Sequence, residues 1–101
     1  MKTIMLVCSA GMSTSLLVTK MEKAAKEKGV EAKIFAVAEA EAASHFDEID
    51  VLLLGPQVRF LENSMKQKVE PKGIPLAVID STDYGMMNGE NVLQKALELL
   101  K

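Results

Sequence analysis

Several residue types are scarce in this sequence, and each scarcity limits what the protein can be. There is one cysteine, one histidine, one tyrosine and no tryptophan. A single cysteine cannot form an internal disulfide, so we expect a cytoplasmic protein. Twelve basic residues against fourteen acidic ones give a net charge of -2, which gives no support for nucleic-acid binding. No apolar run approaches the ~20 residues of a membrane span, so direct membrane insertion is not expected.

The sequence does contain a regular alternation of apolar, strand-like runs with amphipathic, helix-like segments. With 101 residues, of which 49% are hydrophobic, the chain predicts a single domain that spans residues 1–101. The predicted strands are Lys2–Val7, Glu31–Val37, Val51–Leu54 and Leu76–Ile79. The predicted helices are Met12–Lys28, Glu39–Phe46, Val58–Val69 and Glu90–Leu100. Residues 80–89 are predicted to form a loop, with Asn88 as the N-cap of the last helix.

This alternation predicts an α/β fold, a three-layer domain with helices on both faces of a four-stranded parallel sheet. The second strand is the most polar and is therefore placed at an edge, which gives the flavodoxin-like strand order 2-1-3-4. In this order the loops after the first and third strands part and leave a crevice, the usual ligand site of open sheets. The segments "CSAGMSTS", "GPQVR" and "DSTDYGMMNG" are expected at that end of the sheet.

The cysteine, Cys8, directly follows the first predicted strand and faces the start of the first helix. Free backbone N–H groups there form an anion site that favours thiolate and would hold a phosphoryl group bound to sulfur. The candidate phosphate-binding residues are Ser9, Ala10, Gly11, Met12, Ser13, Thr14 and Ser15. A free cysteine is often only a small buried residue, but this small and hydroxyl-rich loop favours a cysteine that accepts a phosphoryl group.

The segment "LVCSAGMSTSLLVTKM" resembles the phosphocysteine segment of the IIB components of the lactose/cellobiose/chitobiose branch of the bacterial sugar phosphotransferase system (PTS). "LLLGPQVRF" and "VIDSTDYGMMNG" resemble the later loops of that family, in the same order and at the same spacing. The resemblance covers nearly the whole chain. It implies that Cys8 takes phosphate from a phosphohistidine of the IIA component. Cys8 would then pass this phosphate to a β-linked disaccharide, such as cellobiose, chitobiose or lactose, that the membrane component IIC carries.

Other residues are candidates for supporting roles. Gln57 can donate to the phosphate from the second loop, and Tyr84 lies on the predicted site face. Met12, Leu16 and Phe60 fall outside the core stripes of their helices and predict an apolar ring that docks IIA and IIC. The alternative is that Met12 and Phe60 fold over the loops and pack locally. Family members commonly have tyrosine where this chain has Phe60, so no role that needs a hydroxyl is assigned there.

A low-molecular-weight cysteine phosphatase is the alternative function, because those enzymes use a similar loop with an arginine six positions after the cysteine. Thr14 occupies that position here, so bidentate stabilisation of the phosphoryl group by a guanidinium is missing. Asp80 and Asp83 resemble a phosphatase general acid but are better explained as turn residues. A thiol-redox role would need a second cysteine. Arg59 is equally compatible with assisting the phosphate, meeting an acidic partner, or a solvated helix start.

Neither a cofactor nor a metal ion is expected. The sequence lacks the G-x-G-x-x-G and G-x-x-x-x-G-K motifs of nucleotide sites. His45 precedes the third strand and is therefore placed at the amino end of the sheet, as an ordinary surface residue, whereas Cys8 is at the carboxyl end. One histidine and one cysteine at opposite ends do not form a metal site.

Overall fold

The middle layer of the molecule is a sheet of parallel strands. In the computed structural model, which describes residues 2–8 and 11–100 (for 11–14 the backbone only), these strands are β1 (Lys2–Cys8), β2 (Ala32–Ala38), β3 (Val51–Leu54) and β4 (Leu76–Val78). Their order is β2-β1-β3-β4, with every neighbouring pair parallel. The predicted fold class and strand order are therefore confirmed.

Helices connect the strands and cover both faces of the sheet. They are α1 (Gly11–Glu27), α2 (Glu39–Ala42), α3 (Glu62–Val69), α4 (Ser81–Gly85) and α5 (Gly89–Leu99). Short 3-10 helices occupy Ala43–His45, Pro56–Leu61 and Glu70–Lys72. Asn88 caps α5, as predicted, because its side chain accepts a hydrogen bond from the Asn91 amide at 3.1 Å.

Two predicted element boundaries were wrong. Residues 80–89 are not all loop, because α4 lies within them and begins after Asp80, whose side chain caps it. The helix predicted from Val58 starts instead as the 3-10 helix at Pro56 and becomes α-helical only at Glu62. Val58 itself has non-helical φ and ψ of -117° and 22°, so the chain kinks there before α3 begins.

The core lies in two layers, one on each side of the sheet. Alternate residues of the central strands point to opposite layers, as the two-residue period of a strand requires. Ile4, Leu6 and Leu53 pack in the layer under α1 and α5, whereas Met5, Val7 and Leu52 pack in the layer under α3. The apolar residues of α1 (Leu17, Met21, Ala24 and Ala25) close the first layer. Those of α3 (Met65 and Val69) close the second. β1 and β3 are consequently buried on both faces.

The strand ends divide the molecule into two poles. Asp50, just before β3, accepts a hydrogen bond from the Thr3 amide at 2.7 Å, at the amino ends of the strands. His45 lies upstream in the same segment, half-buried against the ring of Phe35, with its Nδ1 atom 2.6 Å from Oε1 of Glu48. Cys8 ends β1 at the opposite pole. In the described part of the chain, no helix has both the length and the apolar character needed to span a bilayer.

Candidate functional site

Cys8 is the last residue of the central strand β1 and has no solvent-exposed surface. It pairs in register with Ala38 of β2. By the two-residue period it shares the parity of Ile4 and Leu6, whose side chains pack under α1 and α5. The thiol is therefore on the face of the sheet that α1 covers. Because α1 begins at Gly11, only three positions after Cys8, the start of that helix follows the cysteine closely.

The predicted phosphate-binding loop is described only in part. Ser9 and Ala10 lie outside the described residues, and the backbone of Gly11, Met12, Ser13 and Thr14 forms the first turn of α1. Ser15 is exposed on the next turn, and its carbonyl oxygen accepts a hydrogen bond from the Thr19 hydroxyl at 3.1 Å. The first four N–H groups of a helix have no partner within it. The described backbone thus supplies the helix start that the sequence predicted after Cys8.

The neighbouring strand β3 continues beside β1 to Gly55. The Gly55 amide donates to the carbonyl oxygen of Val7, the residue before Cys8, at 2.9 Å. The 3-10 helix that carries Gln57 starts at the next residue, Pro56. The second loop therefore begins next to the end of β1, as the strand order predicted.

A hydrogen bond between side chains joins the third loop to the second. The Gln57 side-chain amide (Nε2) donates to the Tyr84 hydroxyl at 2.8 Å, although 27 positions separate the two residues. Gln57 is exposed, whereas Tyr84 is half-buried and packs against the core layer under α1 and α5. The two predicted auxiliary residues are thus brought together at the sheet end where β1 stops.

The two aspartates of the third loop have local structural partners. Asp80 accepts hydrogen bonds from the backbone amides of Thr82 at 2.8 Å and Asp83 at 3.3 Å. The Asp83 carboxylate accepts from the side-chain amide of Asn91 at 3.2 Å. The contacts of Asp80 stabilise the start of α4, and the contact of Asp83 joins α4 to α5. These local contacts agree with the interpretation of both aspartates as turn formers.

Among the side chains that the structure describes, three large apolar ones are exposed on segments that follow the carboxyl ends of β1, β3 and β4. Leu16 is 50% exposed, Phe60 74% and Met86 72%. For Leu16 and Phe60 this agrees with their predicted position outside the core; the Met12 side chain lies outside the description. Met86 was missed, because a methionine between turn residues has no periodicity from which its exposure could be read. We call Leu16, Phe60 and Met86 the apolar rim.

The sequence that forms this site matches the model of a known protein family. The family model described as "PTS system, Lactose/Cellobiose specific IIB subunit" matches residues 3–95. The chain belongs to this IIB family. Its match includes β1 with Cys8, the second loop with Gln57 and the third loop with Tyr84.

Individual relatives agree with this assignment over nearly their full length. The galactose-specific PTS EIIB component of Lactococcus lactis subsp. cremoris is 49% identical over 98% of this chain and 96% of the relative. The cellobiose-specific EIIB component of Lactococcus lactis subsp. lactis is 48% identical over the same shares. The solution structure of a cellobiose-specific IIB component from Borrelia burgdorferi, 48% identical, has a TM-score of 0.81 and covers 98% of this chain and 91% of its own.

A more distant relative carries a IIB-like segment within a much longer chain. The lactose-specific EIICB component of Streptococcus mutans serotype c is 28% identical over 80% of this chain, which corresponds to 14% of that relative. Its name joins the C and B designations in one polypeptide. This PTS IIB component thus has a relative in which the matching segment is part of a longer polypeptide.

Proposed function

We propose that this IIB component is a cytoplasmic phosphocarrier of phosphoenolpyruvate-dependent sugar uptake, with residues 1–101 as the carrier domain and Cys8 as the phosphoryl acceptor. The phosphate comes from a phosphohistidine on a IIA component. It leaves to a β-linked disaccharide, such as cellobiose, chitobiose or lactose, that is presented by a membrane-embedded IIC component. The name of the cellobiose-specific relative supports this sugar class. The name of another relative gives galactose, a monosaccharide, so the relatives do not select one sugar.

The proposed chemistry is two successive in-line displacements at phosphorus. In the first, the Cys8 thiolate attacks and the S–P bond forms while the N–P bond of the phosphohistidine breaks. The phosphohistidine is protonated on its other ring nitrogen, so the imidazole leaves neutral. In the second, a sugar hydroxyl attacks the same phosphorus, the O–P bond forms, and the S–P bond breaks to regenerate the thiolate. The hydroxyl proton is lost to a base or to solvent. No external co-reactant is needed beyond the donor and the sugar.

One observation carries the proposal: Cys8 ends the central strand β1, and α1 begins three positions later, at Gly11. The helix start offers N–H donors to an anion, and the helix dipole adds a favourable field. A phosphoryl group on sulfur carries close to two negative charges and three acceptor oxygens. The candidate donors are the backbone amides of residues 9–15, with the hydroxyls of Ser9, Ser13, Thr14 and Ser15.

The partners are proposed to meet one common face. A single thiol receives and delivers the phosphate, so IIA and IIC must both approach the sheet end that bears Cys8. The apolar rim, together with Met12, is the candidate docking surface there, since exposed apolar groups around a reactive atom are typical of an interaction site. The relative whose name joins the C and B designations supports a IIC partner.

Intact-mass measurement tests this proposal directly. The protein is incubated with phosphoenolpyruvate, the general PTS phosphotransfer proteins and a matching IIA component. We expect a gain of one phosphate in the wild type, no gain in Cys8→Ser, and a normal gain in His45→Ala. The His45→Ala variant is the matched control, because histidine is the other common phosphoryl carrier and His45 lies far along the chain from the site.

Two outcomes would overturn the assignment. One is an unmodified wild-type protein under conditions in which IIA is fully phosphorylated. The other is a phosphate that persists in Cys8→Ser and disappears in His45→Ala.

A further inference from the structure

Gly55 is a glycine for a reason other than backbone freedom. Its φ of -64° and ψ of 151° are ordinary extended values that any residue adopts. A β-carbon built on Gly55 would nevertheless lie 2.5 Å from Oε1 of Gln57 and 3.4 Å from its Cδ atom. The missing side chain therefore leaves the space that the Gln57 carboxamide occupies.

The Gln57 carboxamide is held at both of its ends. Its oxygen lies against Gly55, and its nitrogen donates to the Tyr84 hydroxyl. A glutamine side chain on an exposed surface normally samples several rotamers. Here the space at Gly55 and the hydrogen bond to Tyr84 select one of them.

This arrangement also orients the phenol of Tyr84. Because the hydroxyl oxygen accepts the amide proton of Gln57, its own proton points to a different partner. Tyr84 lies in α4, after the carboxyl end of β4, and Gly55 is hydrogen-bonded to Val7, the residue before Cys8. The proposed phosphoryl group on Cys8 would place an anionic acceptor at this same end of the sheet.

We infer that Gly55 and Gln57 position the Tyr84 hydroxyl for phosphoryl transfer at Cys8, with Gln57 as the positioning residue and Gly55 as the space that admits it. This inference rests on the proposed function. It explains why the residue after β3 is the glycine Gly55. It also assigns a role in transfer to the hydrogen bond between Gln57 and Tyr84.

Gly55→Ala is the sharpest test, because alanine suits the backbone but displaces the Gln57 carboxamide. We expect the transfer rate at saturating phosphorylated IIA to fall about 2- to 10-fold, the effect of one lost hydrogen bond between neutral groups. The IIA concentration for half-maximal rate should stay unchanged. Gly85→Ala is the matched control, since nothing lies within 4 Å of a β-carbon there, and it should transfer at the wild-type rate.

Double variants separate positioning from general damage. In a Gln57→Ala background the clash with position 55 is absent, so adding Gly55→Ala should cause no further loss. Tyr84→Phe keeps the ring against the core and removes only the hydroxyl. It should lower the saturating rate as Gln57→Ala does, and the two changes together should cost no more than either alone.

The possible failures are distinguishable. If wild-type protein accepts no phosphate, the proposed function fails first. The positioning inference is wrong if the wild type is phosphorylated but Gly55→Ala transfers phosphate at the wild-type rate. It is also wrong if Gly55→Ala lowers the transfer rate as much in the Gln57→Ala background as in the wild type. A change confined to the half-saturating IIA concentration would also overturn it, because that result assigns these residues to docking.

Discussion

Gly89, the first residue of α5, lies directly against the backbone of Lys20 in α1. A β-carbon at position 89 would be 2.5 Å from the Lys20 carbonyl carbon and 2.6 Å from the Met21 amide nitrogen. These are backbone atoms of a packed helix, so they cannot rotate aside as a flexible side chain would. The two helices that cover one face of the sheet are therefore close enough at this point that only glycine fits.

We expect Gly89→Ala to destabilise the fold. Overpacking of this kind typically costs about 1–3 kcal/mol of unfolding free energy. Gly85→Ala is the control, because its β-carbon would meet no atom within 4 Å. Urea unfolding followed by circular dichroism measures both variants. Equal unfolding midpoints for Gly89→Ala and the wild type would show that α5 shifts at no cost.

The apolar rim is expected to serve docking rather than stability. Leu16→Asp and Phe60→Asp each place a charge on a side chain that is already exposed, so melting temperatures should stay near wild type. Fewer than about 30% of interface residues cost more than about 1 kcal/mol of binding energy when they are truncated, and we expect the rim residues to belong to this group. The concentration of phosphorylated IIA for half-maximal transfer should therefore rise about 5-fold or more.

Gln67→Asp is the matched control for the rim, since position 67 is exposed near the far end of α3. It should leave transfer unchanged. Normal transfer in both rim variants would eliminate this docking surface. A large fall in melting temperature would instead assign Leu16 or Phe60 to local packing over the loops.

Hydrolysis of p-nitrophenyl phosphate is expected to be slow. Thr14 stands at the position where the low-molecular-weight phosphatases have arginine, and arginine groups that stabilise phosphoryl transfer contribute about 10³- to 10⁵-fold in rate. The aspartates of the third loop are engaged in local hydrogen bonds. Rapid turnover that disappears in Cys8→Ser and in Asp83→Asn would support the phosphatase function in place of the carrier.

Asp80 is expected to act through its capping contacts. Asp80→Ala removes the acceptor for two backbone amides of α4 and should lower the unfolding free energy by about 0.5–2 kcal/mol. Asn caps helices about as well as Asp, so Asp80→Asn should restore most of that loss. If Asp80→Asn is as unstable as Asp80→Ala in thermal melts, the negative charge rather than the cap is what α4 requires.

The sequence predicted well the features that depend on the pattern of apolar and charged residues within one element. The apolar runs of β1 and β3 identify buried parallel strands, and the charged residues Glu31 and Lys33 place β2 at the edge. The strand order alone also predicts that three distant loops meet, because the carboxyl ends of parallel strands lie at one edge of the sheet.

The features that it missed depend on tertiary contacts or on ambiguous local signals. The segment around α4 is rich in Asp, Gly and Asn, residues that favour turns, and one helical turn with a cap has almost the same composition. Likewise, Pro56 suits a helix start, but nothing in the local sequence marks the non-helical φ and ψ of the buried Val58. The pairing of Gln57 with Tyr84 arises only when loops 27 positions apart are folded together. The Gln57 oxygen lies against Gly55 in the rotamer that makes this pairing.

The central position of β1 has a mechanical consequence for the cysteine it carries. β1 is hydrogen-bonded on both edges, and the residues from Ile4 to Cys8 have no exposed surface. The backbone amides of such strands exchange hydrogen only in openings whose free energy approaches that of global unfolding, whereas surface segments open at much lower free energy. The cysteine that we propose as the nucleophile is thus anchored to a strand that is hydrogen-bonded on both edges. In the proposed function, two different partners would therefore meet the thiol at the same fixed point.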